Sequence, residues 1–252
     1  MTTTRTGPTG TTPDIASPWA ASPAVRERAR ALRAMIEALP GPGPDHHGTG
    51  GPRVVLVVGV DIAADGVGRL LAGAFAESRQ RTMLVEAATA ARGPERGPAR
   101  RPSREQVEDQ LAAALGQGAG AREPGDSPGR PATGGLVEWG AGREGPHALP
   151  MRSTGSPYLV VVPHGSAVAG QAVMPPDRWA ALLDHARDER DRVIVVVSPL
   201  SRRADGLTLA RLVDGTVLVL APGQTTASAA TRAHDAVRQA GGTVLGVVLA
   251  DR

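Results

Sequence analysis

The segment Val54–Ala87, VVLVVGVDIAADGVGRLLAGAFAESRQRTMLVEA, decides the fold of this chain. An apolar run, a turn of small residues, an amphipathic stretch and a second apolar run follow one another along it. This order is typical of a strand, a tight loop, a helix and a second strand, the unit in which many nucleotide-binding proteins hold phosphate. Such a loop ordinarily supplies a lysine to the phosphates, and this segment contains none.

The composition excludes several classes of function. All 28 basic side chains are arginines, and the formal net charge of +3 does not indicate a nucleic-acid-binding protein. Cysteine is absent, which excludes disulfides, thiolate metal sites and cysteine nucleophiles. The longest apolar runs have the length of strands, and the N-terminus lacks the apolar core of a signal peptide. We therefore expect a cytoplasmic protein.

The N-terminal part of the chain divides into a tail, a helix and a linker. Residues 1–22 are rich in Thr, Pro, Ser and Gly, a composition that predicts a disordered tail. Residues 23–38 have apolar positions at helical spacing, with Ser22 as the expected N-cap and a proline in the first turn. Residues 39–52, rich in Gly and Pro, are predicted to link this helix to a domain spanning residues 53–252.

Within this domain, runs of Val and Leu alternate with amphipathic segments up to the C-terminus, and the first of them predict a strand over residues 53–58, a helix over about 67–78 and a strand over 82–86. A Gly-, Pro- and Arg-rich stretch, residues 92–134, is predicted to be an insertion that carries one helix, residues 103–115. Strands that are nearly all apolar, alternating with helices, are typical of a mainly parallel sheet buried on both faces. The predicted fold class is therefore α/β, with a doubly wound sheet between two layers of helices.

Four stretches of the chain carry sequence patterns in an order that points to one known family. ERARALR reproduces E-x-x-R-x-x-R through Glu27, Arg30 and Arg33, and residues 71–87 parallel L-A-x-A-L-A-x-x-G-x-x-V-L-L-I-D-A. RDRVIVVVSPL, residues 190–200, parallels Y-D-x-V-I-I-D-T-P-P-L, and GGTVLGVVL parallels G-x-x-V-L-G-V-V-L. Together they resemble the bacterial tyrosine kinases of capsule and exopolysaccharide export, a branch of the MinD/ParA-type ATPases. The resemblance covers most of the chain beyond the tail and implies a P-loop NTPase-like fold.

The resemblance also implies where a nucleotide site would lie, and the loop at that place lacks the required chemistry. The family's phosphate loop, of the type S-x-x-P-G-E-G-K-S-T, corresponds to GVDIAADGVGRL, which includes Asp65, Gly66, Gly68 and Arg69. Arg69 is the only cation of this loop, and no hydroxyl stands beside it to bind magnesium. The two aspartates of the loop would repel phosphate.

Other positions of the implied site have also changed. The second catalytic strand of the family ends in D-A-D, whereas here Glu86 is followed by two alanines. The family's Walker B aspartate falls on Val196 and its adenine-contacting asparagine on Ala250, while Asp205 matches a following aspartate. The tyrosine-rich C-terminal cluster of the family is missing, since the only tyrosine is Tyr158. We therefore predict a pseudo-ATPase site with no catalytic residue, no metal and no nucleotide cofactor.

The resemblance implies a partner as well. In the family, the helix with E-x-x-R-x-x-R assembles the kinases into rings, and the kinase domain docks on a membrane chain-length determinant protein. We therefore expect Glu27, Arg30 and Arg33 to serve homo-oligomerisation or docking, and the chain to act as a scaffold or regulator that its partner holds at the inner face of the membrane. An ordinary solvated, charged helix face is the alternative interpretation of these three residues.

Two other functions stay open. An active autokinase or ATPase would use Arg69 and Glu86 in unfamiliar roles, bind ATP and magnesium, and phosphorylate Tyr158 or a Ser or Thr. A ParA-like DNA-positioning protein would need an exposed basic face and salt-dependent DNA binding, and the low net charge argues against it. His164 follows a predicted strand, but no acid or nucleophile lies near it in the sequence, so we do not predict a catalytic role for it.

Overall fold

The computed structural model describes residues 21–40, 51–87, 134–142, 144–165, 174–202 and 205–250. The predicted tail up to residue 20, the predicted helix at 103–115 and the rest of the insertion up to residue 133 lie outside these ranges. The strands in the described ranges are β1 Val54–Gly59, β2 Thr82–Glu86, β3 Arg152–Ser153, β4 Leu159–Val162, β5 Arg192–Val197, β6 Gly215–Leu220 and β7 Val244–Leu249. The α-helices of the same ranges are α1 Pro23–Glu37, α2 Asp65–Glu77, α3 Leu136–Ala141, α4 Pro176–Glu189, α5 Asp205–Ala210 and α6 Ala227–Gln239.

The strands form one sheet in the order β3-β4-β2-β5-β1-β6-β7. All neighbouring strands are parallel except the short β3, which runs antiparallel to β4. The chain leaves β1 towards β2 on one side of the sheet and later adds β6 and β7 on the other side. In doubly wound sheets, ligands bind at the carboxyl ends of the strands where the direction of winding reverses. This rule places the candidate site beyond the ends of β1, β2 and β5.

The inner strands of the sheet, β1, β2, β5 and β6, are buried on both faces, as their apolar sequences predict. On one face, Val57 and Val196 belong to a core with Leu71 and Phe75 of α2 and Ile36 of α1. On the other face, strand side chains pack against α4, α5 and α6, with the following side chains fully buried: Leu182, Leu183, Leu209 and Val237. The α/β class, with helices on both faces of a mainly parallel sheet, is therefore confirmed.

Side chains that cap strands and helices set the element boundaries. The sequence places the first strand from Arg53, but the backbone N–H groups of Arg53 and Val54 both donate to the Asp214 carboxylate, at 2.8 Å each, and the strand starts at Val54. Helix α1 begins where Ser22 predicts, since its Oγ accepts from the Val25 N–H. The sequence does not predict α3, although the Glu138 carboxylate accepts from the Gly135 N–H at 2.7 Å as in a capping box.

No helix within the described ranges combines the length and the apolar character needed to cross a membrane.

Candidate functional site

The loop after β1, which would hold phosphate in a P-loop protein, is folded back on its own backbone. The Gly59 carbonyl accepts from the Leu200 N–H at 2.9 Å, and the Val60 N–H donates to the Val219 carbonyl at 3.0 Å. The carbonyl oxygen of Ile62 lies 1.7 Å from the point that a Cβ on Gly59 would occupy, so only glycine fits there. The backbone groups at the start of the loop are thus bound to neighbouring segments of the chain.

The position to which the family resemblance assigns the Walker B aspartate holds an apolar contact. Val196 is 1% exposed, and its Cγ2 lies 2.1 Å from the point that a Cβ on Gly68 would occupy. The absence of a side chain on Gly68 therefore lets the first turns of α2 approach β5 closely. Backbone pairing extends this contact, because the Ala87 N–H donates to the Val196 carbonyl at 2.8 Å. Val196 offers no ligand to a metal, and α2 packs directly over it.

The single cation of the loop is neutralised within the chain. Arg69 Nε lies 2.7 Å from Glu86 Oε1, and the exposed fractions of these side chains are 34% and 14%. Glu86 is paired with Val196 between β2 and β5, which brings its carboxylate to the α2 face of the sheet. Arg69 and Glu86 are 17 residues apart in the sequence, and the strand–loop–helix–strand unit brings them together. The family resemblance implies that a P-loop protein would present a cation to phosphate at the position of Arg69, which here is bound by Glu86.

A second carboxylate stands beside this ion pair. Asp65 is the first residue of α2, and the preceding Ala64 provides no side-chain cap. Burial raises the pKa of Asp65 above its usual value, and the negative charge of Glu86 acts in the same direction, whereas the charge of Arg69 opposes both. An anion at this helix N-terminus would therefore face two carboxylates that share one guanidinium group.

The remaining predicted site residues are spread over the molecule. Asp205 is the first residue of α5, and Gly66 lies on the exposed side of α2 with no atom within 4 Å of the point a Cβ would take. Ala250 contributes its backbone N–H to the Leu220 carbonyl at 2.9 Å. Tyr158 directly precedes β4, at the amino ends of the strands, and its carbonyl accepts from the Thr82 N–H. The only tyrosine therefore lies at the amino ends of the strands, whereas Arg69 and Glu86 lie at the carboxyl ends.

His164 follows β4 at the carboxyl edge and serves the local backbone, since its carbonyl accepts from the Val137 N–H at 3.0 Å at the start of α3. Among the residues that the structure describes, no group of three His, Asp or Glu side chains is arranged to hold a metal ion.

The three charged residues of α1 lie along the contact between α1 and α2. Arg30 Nε binds Glu77 Oε2 at 2.7 Å, and its Nη1 lies 3.3 Å from Glu27 Oε2. Arg33 donates to the Ala74 carbonyl at 3.3 Å and pairs with Glu37 on its own helix. Glu27 is the most exposed of the three, with 74% of its side chain accessible. Both arginines thus attach α1 to α2 within one chain.

Sequence reasoning identifies Arg69, Glu86 and Val196 one by one, but it misses the contacts between them. The sequence favours a tight strand-to-helix connection whose glycines permit close packing, and the structure shows that Gly68 is the point where α2 meets β5. The sequence does not identify Val196 as the side chain that packs there.

Of the comparisons with known proteins, the one with solved structures finds proteins that are similar to this chain. No family model and no curated protein sequence matches this chain. The kinase domain of the Escherichia coli tyrosine kinase ETK is 22% identical, with a TM-score of 0.62 over 98% of this chain and 83% of that domain. The VpsO kinase domain is 15% identical, with a TM-score of 0.61 over 91% of this chain and 95% of that domain.

A septum site-determining protein, MinD from Pyrococcus horikoshii solved with Mg-ADP, is 15% identical, with a TM-score of 0.51 over 78% of this chain and 69% of that protein. Similarity at this level of identity shows the fold. The chain therefore has the P-loop NTPase-like fold of the bacterial tyrosine kinase domains and the MinD ATPases.

Proposed function

We propose that this protein is a nucleotide-independent, catalytically inactive relative of the polysaccharide-export tyrosine kinases, and that it acts as a scaffold or regulator. The observation that carries the proposal is the filled site: Arg69 is bound by Glu86, and Val196 packs on Gly68 where a metal-holding aspartate would stand. The similarity of fold to the kinase domains of ETK and VpsO supports the choice of family.

The chemistry of phosphoryl transfer makes these changes decisive. Catalysis of this reaction consists almost entirely of positioning the phosphates and neutralising their charge with a lysine or arginine and Mg²⁺. A phosphate that approached Arg69 would have to displace Glu86 at 2.7 Å and to tolerate the nearby Asp65. Position 196 is a valine, so no carboxylate there could bind Mg²⁺ and offset the cost of displacing Glu86. We therefore expect neither ATP nor magnesium to bind.

We further propose a membrane chain-length determinant protein as the partner, so that the chain lies in the cytoplasm at the inner face of the membrane. The proposed contact surface is the outer side of α1, where Glu27 and Arg28 are exposed. Because Arg30 and Arg33 fix α1 to α2, this surface belongs to the folded body of the protein. The same surface is proposed to support homo-oligomers.

A binding experiment with matched variants tests the proposal. The α1 variant Glu27→Ala, Arg28→Ala removes the exposed charges of the proposed surface and keeps Arg30 and Arg33, which fix α1 to α2. The control variant Arg232→Ala, Asp235→Ala removes two exposed charges, also one of each sign, on α6. Affinity for the cytoplasmic segment of the chain-length determinant protein from the same organism, and the oligomeric state, are measured for both variants by light scattering and calorimetry.

We expect the α1 variant to lose partner binding and assembly, the α6 variant to retain both, and Mg-ATP to change neither. Unaltered binding and assembly in the α1 variant would contradict the proposed surface. Incorporation of phosphate into Tyr158 or into a Ser or Thr of the purified protein would contradict the inactive assignment.

A further inference from the structure

Helix α2 connects the degenerate site to the helix that we propose as the docking element. Near its N-terminal end, Arg69 is bound to Glu86 at the end of β2. At its C-terminal end, Glu77 is bound to Arg30 of α1, and the Ala74 carbonyl accepts from Arg33. Arg69 and Glu77 are eight residues apart on one helix, a distance of about 12 Å along its axis. Because α2 is short and rigid, a displacement of its N-terminal end also moves its C-terminal end.

We propose that the Arg69–Glu86 ion pair takes the structural place of a bound nucleotide: it joins α2 permanently to β2 and so keeps α1 in one position. In a P-loop protein the phosphates connect the loop and the first turn of the helix to the neighbouring strands only while nucleotide is bound. Here the connection belongs to the chain itself. This inference rests on the proposed function, and it implies that the docking helix is always presented in its binding position.

Three features of the geometry support a structural role for this pair. Glu86 is only 14% exposed, so its carboxylate is poorly hydrated without the guanidinium group. Asp65 stands beside the pair, so loss of Arg69 would leave Asp65 and Glu86 as neighbouring carboxylates without the charge of the guanidinium group. The contact of Gly68 with Val196 fixes the same turn of α2 to β5. The turn thus has one charged and one apolar attachment to the sheet.

The experiment measures amide hydrogen exchange in residues 59–68 and in α1 of the full chain, with and without Mg-ATP. The variants are Arg69→Gln, Glu86→Gln and the double variant that combines both. Arg81→Gln is the control, because Arg81 forms an ion pair with Asp191 at 3.1 Å at the opposite end of β2. Exchange in β1 and β6 reports global unfolding, which allows local opening to be separated from it.

We expect exchange in both regions to accelerate by about tenfold in Arg69→Gln, and by less in Glu86→Gln, because only the first variant leaves two neighbouring carboxylates unpaired. For the same reason the double variant is expected to exchange more slowly than Arg69→Gln. Arg81→Gln is expected to resemble the wild type in both regions.

Exchange that stays within about twofold of the wild type in all three variants would overturn the inference. Acceleration in the loop without any in α1 would also overturn it, because α2 would then not transmit the change. Slower exchange of the wild-type loop on addition of Mg-ATP would overturn the proposed function itself, and this result is independent of the variants.

Discussion

The contact between Gly68 and Val196 packs α2 closely on β5, and this packing can be tested at the two glycines of the first turns of α2. Gly68→Ala places a methyl group 2.1 Å from Val196 Cγ2, so we expect a loss of about 1–3 kcal/mol in the free energy of unfolding. Gly66→Ala is the matched control, because its methyl group enters open space and should stabilise the helix by about 0.5 kcal/mol. Urea unfolding of both variants measures the difference, and equal effects would contradict the packing described here.

The buried carboxyl of Asp65 makes stability depend on pH. Burial raises its folded pKa above the value of about 3.9 in the unfolded chain, so between the two pKa values the folded state binds more protons. This contribution to stability is therefore present at low pH and is lost as the pH rises through the folded pKa. We expect the stability of Asp65→Asn relative to the wild type to increase as the pH rises from about 4 to 7. Urea unfolding at several pH values checks this, and a difference that stays constant or reverses would contradict it.

At the scale of single residues, the sequence predicts what the site lacks better than what the site contains. The sequence itself shows an arginine, Arg69, where the resemblance implies a lysine, and Val196 where it implies the Walker B carboxylate. The sequence does not show the ion pair with Glu86, because only the packing of α2 on the sheet brings this carboxylate, 17 residues away, near Arg69. The local sequence likewise does not show that the carbonyl of Ile62 closes over Gly59.

At the scale of elements, the attachment of α1 to α2 depends on apolar burial as well as on the arginines. Ile36 is 2% exposed in the core shared with α2, whereas Met35, its neighbour on α1, is 68% exposed. We expect Ile36→Ala to lower the free energy of unfolding by about 2–5 kcal/mol and Met35→Ala to leave it within about 0.5 kcal/mol. Thermal unfolding compares the two variants. Similar losses in both would mean that α1 is not packed on α2 in this way.

The elements themselves are largely predictable, and the exceptions have local causes. The second strand runs from Thr82 to Glu86 as the sequence predicts, and α2 starts at Asp65, about two residues earlier than expected. Helix α3 is missed because its six residues are too few to show a helical period, and the Glu138 cap holds them. The sequence does not predict the order of the strands, because periodicity alone does not place β5 between β2 and β1.

At the scale of the whole molecule, the structure has the architecture of the P-loop NTPase-like fold. A buried arginine shows how the architecture is maintained away from the site. Arg192, at the start of β5, is fully buried and donates to the Pro52 carbonyl at 2.8 Å and to Gln80 at 2.7 Å. Gln80 in turn donates to Glu37 at the end of α1. The contacts at the amino ends of the strands thus fix the chain before β1 and the end of α1. The filled site lies at the carboxyl ends of the strands.

Calorimetric titration of the purified protein with ATP and with ADP, each with and without magnesium, shows whether the filled site excludes nucleotide. The protein concentration must be high enough to reveal a dissociation constant in the millimolar range. We expect no heat of binding and no shift of the unfolding temperature under any of the four conditions. Magnesium-dependent binding of either nucleotide would contradict it, because a phosphate would then have displaced Glu86 from Arg69.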